Sequence, residues 1–136
     1  MVDKMQHLKG HNMGEIVEVS FKETVSGKVL TCRFVLQIEV IENGEDLKLV
    51  SQDNITDDYK EAIDFAVECF KSIFWKKHPN CGGIITIFRM NAYAVDTRSM
   101  VTFYVLLSAL CKAIGIELPG LELSKEQGVF MIPATL

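Results

Sequence analysis

Asp96, Thr97 and Ser99 stand directly before an apolar run, Met100 to Leu110, that has helical spacing. A serine at a helix start can act as a nucleophile when a base lies within hydrogen-bond reach, about 2.6–3.2 Å. The same residue types also cap helices, because their side-chain oxygens accept the unpaired N–H groups of the first turn. The available bases decide between these roles. Lys112 is on the same predicted helix more than three turns away, and Lys125 reaches Ser99 only if the C-terminal segment folds back across the helix start. His78 precedes the next predicted strand, whereas Ser99 follows that strand's far end. Asp96, three residues before Ser99, suits an N-cap. The residues therefore favour a helix start, with a serine hydrolase using Ser99 and Lys125, or a lysine from another subunit, as the enzyme alternative.

Other chemistry-bearing residues are sparse. His78 and Cys81 have H-x-x-C spacing, and His7 and His11 fall four apart, but a zinc site needs about four converging ligands and no second firm pair is present. No metal or cofactor is expected. The four cysteines, Cys32, Cys69, Cys81 and Cys111, are widely spaced and three sit in apolar runs, which points to reduced thiols and a cytoplasmic setting. The formal net charge of -4 argues against a surface devoted to nucleic-acid phosphates or anionic lipid. No uncharged apolar run approaches the roughly 18–20 residues of a membrane span.

The elements that must position these residues follow from periodicity. With 136 residues, 49% of them hydrophobic, the chain suits one buried core. Residues 1–13 lack sustained periodicity and read as a flexible arm before a single domain over 14–136. Alternation through Ile16, Val17, Val19 and Phe21, through Val29 to Val40, and in Leu47–Val50 predicts strands, with Ser26-Gly27 and Asn43-Gly44 as turns. Asn54, Thr56 and Asp57 are candidate caps of a helix whose stripe is Ile63, Ala66, Val67, Phe70, Ile73 and Phe74 and which ends near Lys76, stopped by Pro79 and the Gly82-Gly83 pair. Ile84–Phe88 predicts a central strand, Thr97–Ile114 a largely covered helix, and Gly128–Ile132 a last strand. This order implies an α+β two-layer sandwich, with two helices on one face of a mixed four- to six-stranded sheet.

Two segments resemble the proteolytic domain of Lon proteases. Lys48 to Ala62 is similar to a strand-to-helix segment of that family, with Lys60 and Glu61 keeping a charged pair. Ile84 to Ser99 resembles the strand and loop leading to the family's serine, and Asp96 and Ser99 keep its Asp-x-x-Ser spacing; Ser108-Ala109-Leu110 and Gly115-Ile116 resemble the helix end that follows. The resemblance covers roughly residues 27 to 132 and implies a fold of the ribosomal protein S5 domain 2-like superfamily. It also implies Ser99 as nucleophile, but Thr97, Arg98, Met100 and Val101 replace the small or rigid residues around it. The lysine base that the family carries on a Gly-Gly-Leu-Lys-like segment has no counterpart before Pro133-Ala-Thr-Leu136. Lys77-His-Pro, Ile85–Phe88, Ser108–Ile116 and Ser124–Phe130 also resemble ribonuclease PH-like proteins, which would imply an RNA-associated subunit, although the phosphate-binding arginines expected there are not evident.

The expectation is a Lon-like domain without the catalytic set, a pseudoenzyme acting through a protein partner or a homo-oligomer. The mostly apolar second helix supports this, because any part of it left exposed would be a contact surface.

Overall fold

The computed structural model describes residues 11–25, 27–55, 57–92, 99–118, 121–124 and 129–131. Residues 1–10, most of the expected arm, lie outside it, as do Asp96, Thr97 and Lys125. The expected boundary shifts at one point: His11–Met13 form a strand, β1, which pairs with a later strand rather than standing apart.

Alternation builds the first half of the sheet. β2 (Val17–Val25) and β3 (Lys28–Glu42) form an antiparallel hairpin that closes with Val25 opposite Lys28, and Gly27 takes the turn at φ 78°. β1 and β2 lie along the same edge of β3. Met13 faces Glu39 and Val17 faces Leu36, so three residues on one side span two on the other, which is a bulge. β4 (Leu47–Ser51) runs parallel to β5 (Cys81–Ala92), and β5 returns antiparallel to β3. Across the sheet the order is β1 or β2, β3, β5, β4, an open mixed sheet four strands wide.

β5 is longer than the expected Ile84–Phe88. Gly82 and Gly83, which resemble a helix stop in sequence, are paired strand residues. A Cβ at Gly82 would stand 2.5 Å from the Asp46 carbonyl oxygen, so the close approach of the β3–β4 connection requires glycine there. At the other end Phe88 is an extra residue, because Val35 faces Arg89 while Leu36 faces Ile87. Asp53 secures this end: its Oδ2 accepts from the Met90 N–H at 2.8 Å, and the Gln52 N–H donates to the Ile87 carbonyl at 2.9 Å.

α1 (Asp57–Lys77) joins β4 to β5, with Asp57 and Asp58 in its first turn and Lys76 and Lys77 in its last, each sign matching the helix dipole. α2 (Ser99–Ala113) ends in a left-handed Gly115: the Ile116 N–H donates to the Cys111 carbonyl and the Gly115 N–H to the Lys112 carbonyl, a Schellman motif. Both helices pack on one face of the sheet, closing a core of Leu30, Cys32, Phe34, Leu36, Ile38, Ile85 and Ile87 below and Phe70, Phe74, Leu106 and Leu110 above. The chain therefore has an α+β fold of two layers. The expected last strand is β7 (Val129–Met131), and it pairs with β6 (Glu122–Ser124) in a separate antiparallel hairpin against α2. Among the described residues no helix is long and apolar enough to cross a membrane.

Candidate functional site

The sequence predicts α2 to be largely covered, and from Val101 to Cys111 only Tyr104 and Ser108 are even partly exposed. The exception is its first turn. Met100 is 45% exposed beside Phe65 of α1, which is 55% exposed and stacks on the buried Phe103 with centroids 4.9 Å apart and planes 26° apart. Glu61, Ala62, Phe65, Met100 and Phe103 line a pocket of about 450 Å³. Ser99 opens the helix next to this pocket, and its side chain lies outside the described residues.

Potential bases are elsewhere. None of the described lining residues is lysine or histidine, and Glu61 supplies the one carboxylate. Lys112 is at the opposite end of α2, about 20 Å along a helix that rises 1.5 Å per residue, and its Nζ approaches the Glu18 carbonyl at 3.5 Å. His78 lines a pocket with Ala113 and Ile114, so it too sits at the far end of α2. Lys77 donates to the Ile114 carbonyl there. Lys60, part of the Lon-like segment, forms an exposed ion pair with Asp57 at 2.9 Å, which raises the lysine's pKa and lowers that of Asp57. Lys125 follows β6 outside the described residues, so its distance from Ser99 lies outside them too.

The H-x-x-C pair is occupied by packing and turn formation. The His78 ring lies 5.3 Å from the Phe74 ring, and the Cys81 thiol donates to the Pro79 carbonyl at 3.5 Å. Burial, then the charge of Lys77, lowers the His78 pKa below its ordinary 6.5. The unfolded chain therefore binds more protons than the native state between that lowered pKa and 6.5, so the His78 contribution to stability is complete above 6.5 and lost as pH falls through this window. The unfolding midpoint measured from pH 7 to pH 5 should fall, and it should fall less in His78→Gln. An equal fall in both would contradict this.

Thr102, in the first turn of α2, is completely buried and faces the core. Burial pushes the neighbouring Cys32 thiol up to about 12, with the Arg33 backbone and the Thr102 hydroxyl countering part of the shift. Among the described residues no hydrogen bond of good geometry reaches Thr102 Oγ1. An unpaired buried hydroxyl is costly, so Thr102→Val should raise stability by about 1 kcal/mol in urea unfolding. A loss of similar size would mean that the hydroxyl is bonded.

No protein family and no curated protein matches this chain. A solved crystal structure of a protein from Thermus thermophilus does, with a TM-score of 0.52 and 12% identity, covering 76% of this chain and 16% of that one. The likeness is one of fold alone.

Two features were missed from sequence. Phe65 was readable, since it breaks the polar face of α1 between Asp64 and Glu68, outside the apolar stripe. On the open face of the sheet, Arg33 Nε donates to Glu18 Oε1 at 2.6 Å and Nη1 to Asn91 Oδ1 at 2.9 Å. That network depends on strand register, which no short-range signal in the sequence carries. The large aromatics Trp75 and Tyr104 pack locally: the indole N–H donates to the Cys81 carbonyl at 2.9 Å, and Tyr104 meets Phe21 edge-on at 5.6 Å.

Proposed function

We propose that this domain acts in the cytoplasm as a protein-interaction or assembly module, a Lon-like relative of the ribosomal protein S5 domain 2-like type that does no serine chemistry. The observation that carries this is the exposed Phe65, stacked on Phe103 with Met100 beside it. Charged residues are the usual choice at such exposed helix positions, whereas aromatic and Met side chains are the types enriched in contact surfaces. The two-layer mixed sheet agrees with the superfamily part of the proposal. Four free thiols suit a reducing compartment. The hydrolase alternative needs Lys125 or a second subunit's lysine at Ser99, because Lys112 and His78 stand at the wrong end of α2. A ribonuclease PH-like role would need a basic groove, and the Ser99 end offers Glu61 instead.

A photo-cross-linking residue in place of Asp64, beside Phe65, tests the surface in cells of the source organism. One recurrent protein adduct is expected with the wild-type background. It should disappear with Met100→Glu, which sets a charge in the patch; an adduct indifferent to Met100→Glu would count against this surface.

A further inference from the structure

The outer edge of β2 is nine residues long, and among the described residues β2 pairs with β3 alone. The direction of its backbone groups follows from one bond. The Gly14 N–H donates to the Ile38 carbonyl, so even-numbered residues of β3 turn their backbone groups toward the β1–β2 side. Their partners Val17, Val19, Phe21 and Glu23 point inward to β3. Glu18, Ser20, Lys22 and Thr24 therefore turn their N–H and C=O groups outward, where no strand among the described residues pairs with them, with their side chains on the open face of the sheet. Such an edge is a template for another strand unless it is blocked. The block here is slight: β2 has no proline, and the exposed Lys112 contact to the Glu18 carbonyl is 3.5 Å long.

We infer that β2 pairs antiparallel with β2 of a second copy of this chain, about a two-fold axis through Ser20, joining the two sheets into one. The charges select this register. With Ser20 on the axis, Glu18 faces Lys22 of the other copy twice, while Val19 faces Phe21 twice on the helix side. Cross-strand pairs of opposite charge and of aromatic with β-branched residues are the favourable kinds. Moving the axis to Glu18 or to Lys22 sets like charges face to face, and the intermediate positions leave both charges unmatched. Glu18 also accepts from Arg33 of its own chain, which holds its carboxyl below the ordinary carboxylate range and so keeps it ionised where Lys22 would meet it. Lys22 is exposed and has no ion pair among the described residues. The isologous pairing is the commonest kind of homodimer.

The inference deepens the assembly proposal and rests on it, but uses a different face from Phe65 and Met100. Sedimentation equilibrium of the full chain, from micromolar to submillimolar concentration, tests it. The wild type should dimerise. Ser20→Pro removes one outward N–H without breaking a bond to β3, and it should be a monomer with unchanged far-ultraviolet circular dichroism. Lys22→Glu should weaken the dimer about tenfold, and adding Glu18→Lys should restore it. A monomeric wild type overturns the inference, as does a dimer indifferent to Ser20→Pro or a charge swap that fails to restore association. Each of these failures leaves the Phe65 surface intact, while loss of the Met100-sensitive adduct alone would leave this edge intact.

Discussion

Phe74→Ala should cost about 3–5 kcal/mol of folding stability, against about 1 kcal/mol for Trp75→Ala one position later. Phe74 is fully buried on the sheet side of α1. Its ring touches Phe70, with centroids 6.0 Å apart, and also the His78 ring. A Cβ at Gly83 would stand only 3.3 Å from the end of its ring. The hole left by alanine has glycine on one side, a short residue that cannot fill it. Trp75 is larger but partly exposed, and among the described residues its hydrogen-bond anchor is the Cys81 carbonyl. Since total stability of a domain is about 5–15 kcal/mol, Phe74→Ala should move the urea midpoint far more than Trp75→Ala. Similar midpoints for the two variants would contradict the packing described.

Gly82→Ala should cost about 3 kcal/mol, the upper end for overpacking, although it adds a single methyl group. The methyl would meet backbone rather than mobile side chain: the Asp46 oxygen at 2.5 Å, the Gly44 carbonyl carbon at 3.0 Å and its Cα at 3.1 Å. Relief requires the β3–β4 connection to move off β5, which strains the Gly83 N–H bond to the Asp46 carbonyl at 2.9 Å. Gly27→Ala is the control. It also costs stability, through a positive φ, but nothing lies within 4 Å of its new methyl, so about 1 kcal/mol is expected. Urea unfolding of both variants ranks them; Gly82→Ala at or below the cost of Gly27→Ala would mean that the two backbones are farther apart.

These two residues also show what a single sequence can carry. The stripe through Ile63, Phe70 and Phe74 was readable because helix period and burial coincide, and α1 extends close to its expected length. Gly82 and Gly83 misled because glycine serves equally as a helix stop and as a place where backbones meet, and only the β3–β4 connection decides between the two. Strand β6 went unread because three residues, Glu122–Ser124, are too few to show a period, and β1 because His11–Met13 is polar and short. For the candidate site, Phe65 went unread although its place on a polar face, between Asp64 and Glu68, signals it. The pairing of Glu18 with Arg33 depended on register across fifteen residues of chain, whereas the separation of Ser99 from His78 was readable, because β5 runs between them.

The central claim is that this domain does no serine chemistry, and Ser99 is where it can fail. Labelling of the folded protein with a broad fluorophosphonate probe, in wild type, Ser99→Ala and Lys125→Ala, is the most direct test. An activated serine requires a base in reach, so wild type is predicted to show no more labelling than Ser99→Ala. Stoichiometric labelling of wild type that is lost in Ser99→Ala, and lost with it in Lys125→Ala, would make the start of α2 an active site and contradict the claim.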